Sequence, residues 1–464
     1  MEKLEPKRRL IIALTVGSII FFVLVLHLLQ ESSPSSNSAT FGYSRKYQGL
    51  NMKDGSSVGG EEAMKIDLRR LVKGKDLAQL EATGMSCIYD LHFEQCIITK
   101  PVIIPANEPM VVYVPSNSDQ PPEKRTIQPY ARREDPTAMK EVTPIHILHG
   151  KNITQRKNAS SYCEVTHEVP AIIFSTGGFI GNMFHELNEM IIPLYITSRH
   201  FNSQVQFVVT DYADWWVSYK YKEILKQLSA FDVLNGDADG RVHCFPGAVF
   251  GLRYHDNLAL NSLDIPEGHT MADFRHFIGN SYNLTISGPL KPKKKPKIIL
   301  ISRKETRVIL NEDEMVKMML KLGFEIHKAL AHDMLRLNHF AELVNSCDVL
   351  VGAHGAGLTN EVFLRNGAVV IQIVPLALDW ASDTYYGNTA RVMGLKYMEY
   401  KIKPKESSLY DVYGPDDPIV SDPLVVFEQG YRNSRSLYID GQNVTIDIAR
   451  FRGTLKKALK FLGS

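Results

Sequence analysis

The feature that most constrains this chain lies in its second half, where short runs of β-branched and aliphatic residues recur with amphipathic stretches between them. IILIS (298–302), FEIHKA (324–329), DVLVG (348–352) and AVVIQIV (368–374) read as strands, and NEDEMVKMMLKLG (311–323) and DMLRLNHFAELVNSC (333–347) as helices. Strands this uniformly apolar must be covered on both faces, and a helix between successive strands supplies both the cover and the crossover. A parallel α/β sheet is therefore expected after residue 290. The basic, proline-punctuated stretch LKPKKKPK (290–297) reads as a solvated linker in front of it. Upstream, AIIFS (171–175) and QFVVT (206–210) lie among helical patterns and predict a second α/β region over 85–290.

Charge is placed as informatively as hydrophobicity. The formal net charge of +2 is accounted for by Lys3, Lys7, Arg8 and Arg9 against Glu2 and Glu5, so the remainder is neutral. It offers no strongly basic face for nucleic acid. Directly after Arg9, Leu10–Leu29 contains no Asp, Glu, Lys or Arg, a stretch long enough to cross a hydrocarbon core of about 30 Å. The expected organisation is a cytosolic tail (1–9), a retained signal anchor (10–29) and a flexible luminal stem rich in Ser and Gly (30–84). A lumen suits the N-x-[ST] acceptors at Asn152, Asn158, Asn283 and Asn443. It also suits disulfides, for which Cys87 with Cys96 and Cys163 with Cys244 are the expected pairs; Cys347, in an apolar stretch, reads as a buried core residue.

Two constellations carry chemistry. In DVLVGAHGAGLTNEVFL a strand runs into His354-Gly355-Ala356-Gly357 and then a helix. Small residues let the backbone approach a ligand there while helix-start amides face it, which suits a diphosphate, although a plain tight turn has the same composition. Ser302 and Arg303 end another strand of this Rossmann-like region, with Arg307 four residues on. In the first region, Asn182, His185, Glu186 and Glu189 are spaced i, i+3, i+4 and i+7 on a helix expected over 182–198. Their apolar neighbours place the stripe on a cleft.

The blocks N-x-x-H-x-x-x-E (Asn182, His185, Glu189), S-R-x-x-x-R (Ser302, Arg303, Arg307) and HGAGLTN (354–360), in this order, resemble glycosyltransferase family 61. Downstream, GAVVIQIVP, ARVMGLKYMEY, KESSLYDVYG and LYIDGQNV are similar to its plant members that decorate xylan, and the resemblance covers about 85–462. It implies a GT-B architecture of two Rossmann-like domains facing across a cleft, an acceptor-side domain (85–290) and a nucleotide-sugar-binding domain (291–464). It further implies a single-pass type II protein of the Golgi membrane with its catalytic region luminal. The implied activity is inverting transfer of a pentose from UDP-xylose or UDP-arabinofuranose to xylan, with no cofactor or metal required. Carried onto this sequence, Ser302, Arg303, Arg307, His354, Gly355, Ala356, Gly357, Leu358, Thr359 and Asn360 would hold UDP. His185 or Glu189, or the two as a pair, would be the base, with Glu186 in reserve, and Asn182 would contact sugar or acceptor. Trp380, which follows the strand ending at Pro375, has a ring that suits either stacking on a sugar face or a place in the core. The triplet Asp237-Ala238-Asp239 is the cue for a metal-dependent alternative, but NGDADG is also a turn composition. A non-catalytic Golgi scaffold or glycan-binding subunit is the other reading, and a complex with other Golgi glycosyltransferases fits either.

Overall fold

A computed structural model of the chain describes residues 58–105, 111–116, 123–150, 163–288 and 294–463. The expected parallel sheet is present. Strands Lys297–Ile301, Glu325–Ala329, Val349–Ala353, Val369–Val374 and Lys396–Lys401 pair in parallel throughout, in the order second, first, third, fourth, fifth. The pleat sends Ile298, Leu300, Val349, Val351, Val369 and Ile371 into one core with helices Glu312–Lys321 and Ile448–Leu462. Ile299, Ile301, Leu350 and Val370 enter another on the opposite face. In this doubly wound order the connections leave the first and third strands in opposite directions, which opens a crevice at their C-terminal ends. Ser302–Arg307 follow the first of these strands and His354–Gly357 the third.

The helix expected after the glycine-rich turn is instead a tight 3-10 helix, Ala356–Phe363. Its closing carbonyls are claimed from outside: the buried Arg275, on helix Met271–Ser281, donates to the carbonyls of Val362 and Leu364 and to that of Met393. Asn360 Nδ2 also bonds back to the Gly357 carbonyl at 2.9 Å. Arg275 thereby fixes where this helix stops, a short piece of the kind in which 3-10 geometry is found.

The first region departs from the expected second Rossmann-like domain. Strands Ala248–Phe250, Ala171–Ser175, Gln206–Thr210 and Leu234–Asn235 do pair in parallel, but the antiparallel hairpin Met85–Tyr89 and Glu94–Ile98 extends them into a mixed sheet. One face is covered by a second six-stranded sheet, ordered Glu123–Ile127, Ile145–Gly150, Val111–Pro115, Val102–Ile104, His243–Phe245, Val165–Thr166. Ile98, Val112, Ile147, Ile173 and Phe250 fill the space between the two sheets, where a Rossmann-like domain would carry helices. The other face packs against the helical run from Met183 to Ser198, and that core is continuous with Ile299, Ile301 and Leu350 of the parallel sheet.

The stem expectation needs correction from residue 58. Helices Val58–Arg69 and Gly74–Thr83 bury Leu68, Leu71, Val72 and Leu80 in the shared core. These apolar positions recur with helical spacing, which the polar composition of 30–84 masked. Residues 30–57, the tail, Leu10–Leu29, Asn152 and Asn158 lie outside the described residues. Among those described, no helix is long and apolar enough to cross a membrane.

Both expected disulfides are present. Cys87 faces Cys96 directly across the hairpin register, and Cys163 joins Cys244 beside the second sheet. Cys347 is buried and belongs to neither. Asn283 is exposed, as a glycan acceptor must be. Asn443 is half-buried and its carboxamide oxygen accepts the Val308 N–H at 2.9 Å, which occupies it structurally.

Candidate active site

His185 and Glu189 stand on the continuous helical run whose first turn is capped by Asn182, its Oδ1 accepting the Phe184 N–H at 3.0 Å. The middle of the run, Glu186–Ile191, is a π-helical segment. Such insertions are frequent at functional sites. Glu189 is fully buried and receives three donors: His185 Nδ1 at 2.7 Å and Arg132 Nη1 at 2.8 Å on Oε1, and the Tyr130 hydroxyl at 2.6 Å on Oε2. Arg132 is held in turn by Asp135 at 3.2 Å. The Glu189 carboxylate raises the Arg132 guanidinium above its usual range against the opposing effect of burial. Burial, reinforced by Glu189, pushes the Tyr130 phenol far above its usual value, so it keeps the proton it donates to the carboxylate while its oxygen accepts the Phe179 N–H at 3.2 Å.

With Nδ1 donating to Glu189, the proton of the His185 imidazole is fixed there and Nε2 presents a lone pair. Nε2 has no hydrogen-bond partner among the described residues, and the side chain is 18% exposed. Phe179 and Phe184 flank the ring, with centroids at 4.6 and 5.4 Å. Gly178, at φ +65°, lets the chain pass over Tyr130, since a Cβ there would lie 2.4 Å from the phenol ring. Glu186 does not share this environment. It accepts from Gly181 N–H at 3.1 Å, from the Tyr221 hydroxyl at 2.8 Å and from Lys220 Nζ, a buried arrangement that fastens the loop before the helix.

Across the crevice lie Arg303 and Arg307. Arg303 Nε donates to the Thr306 carbonyl at 2.7 Å and Arg307 Nη1 to the His354 carbonyl at 3.1 Å. Arg307 adopts a left-handed backbone (φ +53°), pinned by its N–H to the Gln442 carbonyl at 2.9 Å. No carboxylate pairs with either guanidinium among the described residues, and Arg307 Nε is buried without a partner. Burial lowers the affinity of both for their protons; for Arg307, burial and then the neighbouring Arg303 bring it down to about 10. Gly355 (φ +147°) touches both, since a Cβ there would lie 2.7 Å from Arg303 Nη1 and 3.3 Å from Arg307 Nη1. Two desolvated cations without a counter-ion form a site for a doubly charged anion.

His354 is neutral in this setting: burial, then Arg307 and Arg303, lower its imidazole to about 3. Its Nδ1 accepts from Gln372 Nε2 at 2.8 Å, with the Ser382 hydroxyl at 3.2 Å, so Nε2 carries the proton. A cleft of about 550 Å³ is lined by Asn182, Lys220, Ser302, Arg303, Met334 and Ala356, with Gly357 beside them. Of the expected ligand set, Leu358, Thr359 and Asn360 are buried supports below the loop. Tyr130, Arg132, Gln372, Ser382 and Gln442 were not singled out from the sequence. Each acts on a partner at least 18 residues away, with no local pattern to mark it. The Asp237 and Asp239 carboxylates are occupied, the first by the Tyr212 N–H at 2.7 Å and the second by Arg241 and His243. No three His, Cys, Asp or Glu side chains gather as metal ligands among the described residues.

Glu361 closes the underside of the loop. It is fully buried, neither oxygen has a hydrogen-bond partner, and burial holds its carboxyl well above the ordinary 4.5 while the charge of Arg275 opposes this. The folded chain thus retains a proton that the unfolded chain releases above pH 4.5, so stability falls as pH rises from there toward the folded-state value. Glu361→Gln is expected to remove this fall, raising Tm at pH 7 and leaving it nearly unchanged at pH 4. A lower Tm for the variant at pH 7 would show Glu361 to be ionised and paired.

The glycosyltransferase 61 family model matches residues 156–371, which contain both halves of this site. A xylan glycosyltransferase of Arabidopsis thaliana is 39% identical over 344 residues, 71% of this chain and 69% of the relative. An alpha-1,3-arabinosyltransferase of Oryza sativa subsp. japonica is 39% identical over 75% of this chain, a match that spans 60% of that relative's length. A beta-1,2-xylosyltransferase of the same plant is 36% identical over 72% of each chain.

Proposed function

Because the chain belongs to glycosyltransferase family 61, we propose that it transfers a pentose from a UDP-sugar to xylan with inversion at the anomeric carbon. The observation that carries this reading is the pair of half-buried arginines against Gly355, without a carboxylate partner among the described residues, across the crevice from a histidine whose Nδ1 is anchored on a carboxylate. His185 Nε2 takes the proton of the acceptor hydroxyl as its oxygen attacks the anomeric carbon. The bond to UDP breaks on the opposite face through an oxocarbenium-like transition state. Arg303 and Arg307 receive the charge that develops on the leaving diphosphate, and neutral His354 offers its Nε2–H. Glu189 fixes the imidazole tautomer. In this reading the parallel-sheet half binds the donor and the first half the acceptor, in the Golgi lumen behind the Leu10–Leu29 anchor, with UDP-xylose and UDP-arabinofuranose as the competing donors.

Metal independence belongs to the same proposal, since two cations already occupy the place where a divalent ion would neutralise the diphosphate. Residues 31–464, incubated with each UDP-pentose and xylo-oligosaccharides, are expected to give product that persists in excess chelator, its linkage read by NMR. Thermal stabilisation by UDP without transfer to any acceptor would identify the chain instead as a scaffold that keeps the nucleotide site.

A further inference from the structure

The donor cleft is formed by the loops after the first, second and third strands of the parallel sheet. The loop after the fourth strand takes no part in lining it, although it reaches both sides of the reaction centre. Residues 379–392 follow that strand as a short helix, a π-helical segment and a second short helix. Tyr385 on this segment packs against Phe184, with centroids 5.1 Å apart, and Phe184 packs against His185. Tyr385 and Tyr386 also meet His354, at 6.4 and 5.5 Å. Outward from Tyr385 stands Trp380, its ring 5.8 Å away and tilted by 70°. Trp380 is 71% exposed.

A lone exposed aromatic needs no explanation, but here a line of rings runs without interruption from the imidazole of His185 to solvent. An aliphatic partner would be served by Leu or Ile at these positions. Flat rings with polar edges, set at a tilt to one another, match successive pyranoses whose axial C–H faces rotate along a chain. The diphosphate end of the donor is fixed at Arg303, on the far side of His354, so this is the side from which a second substrate can reach His185.

We propose that Trp380 and Tyr385 form the acceptor subsite, on which a neutral β-linked pentosan chain stacks beyond the sugar that is modified. This rests on the transferase reading above, and its test is chosen to separate the two. Xylohexaose and xylobiose are titrated into the full chain by calorimetry, with and without UDP, using wild type, Trp380→Ala and Trp380→Phe. Trp380→Ala is expected to weaken xylohexaose binding about tenfold or more, whereas Trp380→Phe restores most of the affinity. Xylobiose, the shorter chain, should change less, and UDP affinity and Tm should be unchanged because the truncated ring is exposed. Unaltered xylohexaose binding in Trp380→Ala, with UDP still bound, overturns the subsite and leaves the transferase reading intact. Xylohexaose bound through Trp380 by a chain that ignores UDP would instead uphold the subsite and remove the transferase reading.

Discussion

Turnover is expected to fall about 100-fold or more when His185 is replaced by alanine, with donor affinity changed by no more than a few-fold. His185 is partly exposed, so its loss empties a space at the cleft wall without breaking the core. It leaves Glu189 still bound to Tyr130 and Arg132. The contrast with Glu189→Gln is the sharper diagnostic. All three partners of Glu189 donate to its carboxylate, so a glutamine must either oppose its NH₂ to Arg132 and His185 or turn it on Tyr130 and reverse that hydroxyl, and in both cases Arg132 loses its buried counter-charge. That variant should lose turnover by a similar order and also lose stability, by about 2–4 kcal/mol. Rate loss with stability retained at 185, and with stability lost at 189, is the signature of a base and its orienting group. Near-normal turnover in His185→Ala would remove His185 from the chemistry altogether.

The second large effect combines loss of binding with gain of stability. Arg303→Met and Arg307→Met are each expected to weaken UDP about 10- to 100-fold, the value of charge-assisted hydrogen bonds that are lost to a phosphate. The same variants should raise the Tm of the ligand-free chain, because each removes a desolvated cation that repels its neighbour and has no carboxylate in compensation. Differential scanning fluorimetry with and without UDP measures both effects together. Wild type is predicted to have the lower free Tm and the larger UDP-induced shift. If either methionine variant were less stable than wild type without ligand, the arginines would be structural ties and the anion site would be lost as an explanation.

Much of the parallel-sheet half was legible in the sequence because it is local. A parallel sheet reports itself through runs such as VLVGA and VVIQIV that can only be buried on both faces, and the crevice falls at the strand ends where Arg303 and Gly355 stand. The first half was less legible. The second sheet of the first region is built from strands as short as Val165–Thr166 and as mixed as Glu123–Ile127, whose periodicity is too brief to tell a strand from a loop. The helices at 58–83 were hidden by polar composition, although Leu68 and Leu80 are core residues. Glu186 shows the same limit within a single helix. One position along from His185, it serves Lys220 rather than the cleft, because neighbouring residues on a helix point in different directions.

What the sequence by itself determined was the chemistry on offer: an imidazole one helical turn from a carboxylate, two arginines at a strand end and a glycine turn beside a third strand. What only the tertiary structure decided was the division of labour among these groups. Tyr130 and Arg132 make Glu189 an anchor, Gln372 and burial keep His354 neutral, and the lack of an ion-pair partner for Arg303 and Arg307 among the described residues leaves their charge for a ligand. The physical reason is that spacing along a chain fixes which side chains share an element. Protonation, tautomer and free charge are set by desolvation and by partners that approach from elsewhere in the fold.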